Sequence, residues 1–278
     1  MSTLRRTLAR IAAATALVGA AAALPAAPAS ASSTCTTDCL TAVSVTADTQ
    51  KVRVNATTFG STHTVAEVWK ADRSVRLSTM SVTAAGYWAT SFSFASTAYL
   101  PQNTYYAVKV VATDMLGATR TEWLSVRVKQ RIATYYITRI DVADDSDAAG
   151  AGEFRAAWKA GTTVKPALWS GFSSKSSGGY WTFASTNANA VITRTGESAA
   201  PKVFLELSDD DRDPGDPCGT GVWTPTWGKG SNTCADWATA GATLALPETS
   251  TTKNFTLNVA KNSPVMFTVT GRVVTTVS

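Results

Sequence analysis

The chain has 278 residues with 25 Lys+Arg against 20 Asp+Glu, 45% hydrophobic residues and 16% charged ones. Three basic residues, Arg5, Arg6 and Arg10, stand in an N-terminal stretch without acidic residues, so the remainder carries 22 basic against 20 acidic groups. With that near-neutral balance and no Lys/Arg cluster interleaved with aromatics along the sequence, nucleic acid is excluded as the expected partner.

The N-terminus reads as a leader. The basic residues are followed by an alanine-rich apolar run from Ile11 to Leu24 and a small-residue segment ending Ala29-Ser30-Ala31. This pattern predicts a signal peptide over 1–31, cleaved after Ala31 and too short and weakly flanked to anchor in a membrane. Arg5-Arg6 leaves the twin-arginine route open beside the general secretory one. No later segment has eighteen consecutive apolar residues, so no transmembrane segment is expected and the protein should be secreted and extracellular.

The four cysteines fit an oxidising compartment. They form two local pairs, Cys35 with Cys39 and Cys218 with Cys234, which favours two local disulfides over the other connectivities. A four-cysteine zinc site would need closer spacing in the second pair. Residues 32–41 read as a polar tail pinned by the first bridge.

From Ala42 the chain alternates apolar and polar residues in short runs: Ala42–Thr46, Lys51–Asn55, Val65–Trp69, Val75–Val82, Gly86–Phe94, Tyr105–Ala112 and Thr121–Val128. Seven strands in about ninety residues predict a β-sandwich over 42–130. The run Asn103 to Asp114, with Gly117 after it, resembles the penultimate strand and turn of fibronectin type III and related immunoglobulin-like domains. Trp69, Trp88 and Trp123 are expected as core or hairpin-packing residues.

After a connection at 129–134 the character changes. Tyr135–Val142 is an alternating strand that runs into Ala143-Asp144-Asp145-Ser146-Asp147, a Gly/Ala stretch and Glu153; the chain resumes as Phe154–Trp158. The strand Lys202–Leu207 likewise runs into S-D-D-D-R-D-P-G-D-P-C-G at 208–219. Strands near 180–183, 190–194, 222–227, 242–246, 253–259 and 264–274 complete about eight, giving a second sandwich over 135–278. The fold class expected is all-β, two β-sandwich domains in tandem.

So many carboxylates at strand ends repel one another unless a cation lies between them. Calcium takes six to eight oxygen ligands and seldom finds them all in one loop, so two acidic loops on one edge would form a site. In an extended segment Asp209 and Asp211 share a face, and Asp216 returns across the turn of Pro214 and Gly215. The segment F-L-E-L-S-D-D-D-R-D-P-G-D-P-C-G resembles the third calcium loop of the calcium-dependent sandwich domains of protein kinase C and the synaptotagmins. The resemblance implies Asp209, Asp211 and Asp216 as ligands, Arg212 as the family arginine and Gly219 as its glycine. The first loop is similar in kind, although Ala151-Gly152-Glu153-Phe154 replaces the family's S-D-P-Y. The expected calcium ligands are therefore Asp141, Asp144, Asp147, Glu153, Asp209, Asp211 and Asp216. An EF-hand is excluded because no Glu closes a twelve-residue loop. The competing expectation is that both loops are solvated charged turns.

A hydrolase triad has no candidate base beyond His63, the sole histidine, which falls within a strand of the first domain. A β-sandwich glycoside hydrolase or carbohydrate-binding module would use two carboxylates and a groove lined by Trp169, Trp181, Trp223, Trp227 and Trp237. Against the enzyme, the acids cluster at loop tips instead of standing singly among aromatics. The expectation is a secreted, non-catalytic binding or adhesion protein, stabilised by calcium, for a polysaccharide or protein ligand.

Overall fold

Alternating sequence becomes alternating burial along nearly every strand of the computed structural model, which describes residues 39–83, 90–145, 151–209, 225–227, 236–260 and 263–278. Residues 1–31, expected as a signal peptide, and Asp147, Asp211, Asp216, Trp88, Trp223, Cys35, Cys218 and Cys234 lie outside the described residues.

Among the described residues seven strands make the first half: β1 (Ala42–Ala47), β2 (Val52–Thr58), β3 (Ser61–Lys70), β4 (Arg76–Thr83), β5 (Thr90–Ala95), β6 (Tyr105–Asp114) and β7 (Thr119–Arg127). They form antiparallel sheets in the orders β1-β2-β5 and β4-β3-β6-β7. Val52, Val54 and Ala56 of β2 and Tyr106, Val108, Val110 and Ala112 of β6 point into one core. Cys39 and Leu40 belong to that core, at 0% and 1% exposure. The segment expected as a polar tail thus ends inside the sandwich, and Cys39 is disulfide-bonded.

The second half comprises β8 (Arg131–Asp144), β9 (Gly152–Ala160), β10 (Thr163–Lys165), β11 (Ser173–Lys175), β12 (Tyr180–Thr182), β13 (Val191–Thr195), β14 (Lys202–Asp209), β15 (Asp236–Thr243), β16 (Thr251–Asn258) and β17 (Met266–Val277). A 3-10 turn at Ala188–Ala190 precedes β13. One sheet has the order β10-β9-β14-β15, with β11 also on β9; the other has β12-β8-β17-β16, with β13 also on β8. β10 and β11 pair with opposite ends of β9, and β12 and β13 with opposite ends of β8, so each pair is one interrupted edge strand. Eight strand positions result among the described residues. Their facing sides enclose a second core around Trp158, Tyr135, Ile140, Leu205, Leu207 and Val269.

β8 starts at Arg131, earlier than the alternation suggests, because a charged residue occupies its first inward position. Arg131 is fully buried. Its guanidinium donates to the Pro247 carbonyl at 3.1 and 3.2 Å and to Glu248 Oε1 at 2.6 Å. Its backbone N–H donates to Gln102 Oε1 at 2.7 Å, and Gln102 Nε2 donates to the Glu197 carbonyl at 3.0 Å. Glu248 Oε2 accepts from the Thr49 amide and hydroxyl at 3.0 and 2.7 Å. These bonds tie the first sandwich to the second across a connection of only residues 128–130, where Gln130 and Ser278 also exchange backbone bonds.

Candidate functional site

β8 and β14 run away from this junction, and β9 and β15 return towards it. The end of β8 at Asp144, the start of β9 at Gly152, the end of β14 at Asp209 and the start of β15 at Asp236 therefore share the far end of the second sandwich. Both acidic stretches of the sequence span between strands at this end.

Asp209 is set by strand phase. Val203, Leu205 and Leu207 face the core, and two residues on, Asp209 continues the same face with no exposed surface. Its Oδ1 accepts from the Glu153 amide at 2.7 Å. Gly152 leaves room for it, because a Cβ at that position would come within 2.6 Å of Asp209 Oδ2 and 2.7 Å of the Phe154 ring. Across the ladder Asp209 stands in register with Asp236, which shares the inward phase of Ala238 and Ala240. Two carboxylates directly opposite on neighbouring strands destabilise the sheet.

The other carboxylates are placed differently. Asp141 lies on the outer face of β8, where Arg139 Nε donates to its Oδ1 at 2.7 Å and the Arg139 guanidinium lies 4.0 Å from the Tyr180 ring centroid. It therefore points away from Asp209. Asp144 is exposed at the last position of β8, opposite Met266. Glu153 brings its backbone N–H to Asp209, while its own side chain is exposed and in the outward phase of β9. Asp147, Asp211 and Asp216 lie outside the described residues. Among the described residues no group of three or more His, Cys, Asp or Glu side chains is close enough to hold a metal ion.

Three acidic residues have roles that sequence alone did not assign. Asp236 lies two positions after Cys234, and its phase is readable only with β15 in place. Asp145 is 3% exposed; its Oδ1 accepts from the Ser177 hydroxyl at 2.7 Å and its Oδ2 from the Ser177 amide at 3.0 Å. Burial pushes this carboxyl up, and the Ser177 hydrogen bonds more than reverse it, leaving its pKa below the ordinary value. Asp145 thereby fastens the turn between β11 and β12 to the base of the first acidic loop. Glu206, fully buried on the opposite side of β14, accepts from the amides of Thr226 at 2.9 Å and Trp227 at 2.6 Å and from the Thr239 hydroxyl at 3.0 Å. That clamp holds part of the chain returning from the second acidic stretch.

The described tryptophans do not gather in one groove. Trp169 stacks on Trp181 at 4.8 Å, and their indole N–H groups donate to the Phe154 carbonyl and the Ser173 hydroxyl. Both pack against the second core. Trp227 covers Lys159 on the outer side of the other sheet at 4.4 Å, and Trp237 has the outward phase of β15. Trp69 and Trp123, expected in a core or hairpin, lie half-buried on the outer face of β4-β3-β6-β7, because each neighbours residues that point inward, Val68 and Leu124. His63 bonds Thr83 Oγ1 through Nδ1 at 3.2 Å. A shallow cavity of about 320 Å³, with Ser44, Asn55, Phe92 and Ser93 in its lining, holds no titratable side chain. No described helix is long and apolar enough to cross a membrane.

No protein-family model matches the chain, and no curated protein matches it. Among solved structures it is similar to the calcium-bound pair of C2 domains, A and B, of Extended-Synaptotagmin 2, with 8% identity, 84% of this chain and 98% of that chain covered, and a TM-score of 0.30. A second structure of the same two domains gives 7% identity, coverage of 86% and 95%, and a TM-score of 0.27. A likeness this low carries no functional weight, which falls instead on the chain's own residues.

Proposed function

We propose that this is a secreted, non-catalytic binding or adhesion protein whose second sandwich is stabilised by calcium at its far end. The observation that carries the proposal is the in-register pair Asp209–Asp236 at the end where both acidic stretches begin and finish. Like charges so placed cost stability, and a hard cation between oxygen donors turns the cost into a gain. The donors fit such an ion: Asp209 is buried and held at one oxygen by a backbone amide, and the described surroundings hold no thiolate or imidazole. Asp209 and Asp236 would form the floor, with Asp144 and the loop residues Asp147, Asp211 and Asp216 supplying the remainder. Asp141, already engaged by Arg139, would not take part. The ion would join two loops otherwise separated by their own charge, and so present the far end as one fixed surface to a ligand.

A thermal melt of the secreted chain tests this. Calcium at one hundred times its dissociation constant should add about 2.7 kcal/mol, raising the melting temperature by several degrees over the chelated sample. An equal melting temperature with millimolar calcium and with chelator would overturn the calcium assignment. Magnesium should give a smaller shift, since it demands six near-ideal ligands and sheds water reluctantly.

A further inference from the structure

On the outer face of β4-β3-β6-β7 the first sandwich carries a cluster opposite in sign to the acidic end. Trp123 on β7 meets Trp69 on β3 edge-on, with ring centroids 5.9 Å apart. The Arg73 guanidinium lies 4.5 Å from the Trp123 ring centroid, and the ammonium of Lys109, its ladder partner, lies 5.8 Å away. Arg73 is brought there by the β3–β4 turn, in which it takes a left-handed φ of 61°. Glu67 is the acidic residue in register with Lys109, but its carboxylate is engaged by Trp69 Nε1 at 3.0 Å and Arg76 at 2.8 Å. Neither Arg73 nor Lys109 forms an ion pair among the described residues. Two cations thus converge on one indole without an ion-pair partner among the described residues, and a guanidinium stacked on a ring keeps its N–H edge available for a planar anion.

We propose that this face binds an acidic polysaccharide. Charge complementarity sets the sign of the partner: Arg73, Arg76, Lys109 and Arg127 stand against two carboxylates, Glu67 on the face and Asp72 beside Arg73 in the turn, where it accepts from the Ser74 amide and hydroxyl. Shape and chemistry choose among anions. The face is a sheet surface, and the exposed hydroxyls of Thr79, Ser81 and Ser125 flank the tryptophans. Hydroxyl donors beside indoles suit sugar rings, while the cations take carboxylates of successive residues. The β6–β7 turn at one end of this sheet exposes Met115 and Leu116, so an anionic lipid surface is the rival occupant that the test has to separate. The cluster is independent of the acidic end, so calcium should not govern it.

The test is titration of the full chain with polygalacturonate, a linear carboxylated polysaccharide, against dextran, polyglutamate and vesicles of anionic phospholipid. Binding to polygalacturonate should weaken as sodium chloride rises, persist in chelator, and fall about tenfold in the double variant Arg73→Gln, Lys109→Gln. Arg73 is exposed, and retention of the wild-type melting temperature confirms that the variant folds. Unchanged affinity in the folded double variant overturns the proposal, as does equal binding to dextran. Tighter binding to polyglutamate or to the vesicles overturns it in favour of an acidic protein or a lipid surface. Persistence of binding in chelator together with a calcium-indifferent melt would leave this face standing while removing the calcium assignment.

Discussion

The two ends of the second sandwich handle buried charge in opposite ways. At the junction, Arg131 meets Glu248, and Glu197 meets both Arg194 at 2.6 Å and the Tyr135 hydroxyl at 3.2 Å. Burial and the adjacent Glu197 charge push the Tyr135 hydroxyl's pKa far up, so it stays a donor at every physiological pH. At the far end, Asp209 faces Asp236 across a ladder. Opposite charges held within the chain fix an arrangement, whereas like charges in register mark the place where a cation would add most. The junction therefore reads as architecture and the far end as a site.

Breaking the junction should have the largest effect. Arg131→Met leaves the Pro247 carbonyl without its donor and Glu248 without its countercharge, and should cost about 3 kcal/mol in denaturant unfolding. Because the Glu248 carboxylate that Arg131 holds also accepts from Thr49 of the first sandwich, the loss should appear in probes of both halves. A midpoint unchanged from the wild type would show that the seam is not held as described. At the far end Gly152→Ala comes next, at about 1–3 kcal/mol, since the new methyl must displace Phe154 from the core and Asp209 from its amide. The same variant should lose its calcium response; a variant of wild-type stability would mean that Asp209 relaxes freely.

Much of this contrast was legible in the sequence, and the remainder depended on strand phase. Alternation located the seven strands of the first sandwich, because Val52-Arg53-Val54 and its like have one wet face. The second sandwich was read as about eight strands, with β12 and β13 as two of them and β10 and β11 unseen, because a three-residue strand is too short to show a period. The near end was invisible: Arg131 looks like a linker residue until Glu248, 117 positions away, is found beside it. Asp209 was legible as a ligand candidate, but its burial was not, because that follows from the parity of Val203, Leu205 and Leu207. Parity also separates Asp141 from the others, as a register irregularity in β17 at Thr270/Gly271, opposite Arg139 and Ile137, changes the phase of β8 before it. Trp69 and Trp123 illustrate the converse, aromatic residues that alternate outward and so leave the core.

Acid should sharpen the comparison by a smaller amount. Asp145 and Glu248 both have pKa values below their ordinary ones. For Asp145 burial acts upward and the Ser177 bonds downward; for Glu248 burial again acts upward, and Thr49 and then Arg131 act downward. A carboxyl lowered on folding stabilises above its unfolded value, and the contribution disappears as pH falls through the folded value. Stability should therefore decline as pH drops below about 4. Ser177→Ala should flatten that decline through Asp145 alone and leave the Glu248 part intact. A wild-type slope in Ser177→Ala would remove Asp145 from the account.

The smallest effect is the most discriminating, because its sign depends on the cation. In chelator, Asp236→Asn removes the charge opposite Asp209 and should raise stability by about 0.2–1 kcal/mol, the range of a cross-strand pair. In calcium the same substitution removes a ligand and should lower stability relative to the wild type, so the two melting curves cross in rank. A solvated, purely structural turn predicts the same sign in both conditions, since nothing there depends on an ion. Arg131→Met, by contrast, should lose the same stability with and without calcium. A crossing at Asp236 without one at Arg131 would establish that the far end alone requires a cation.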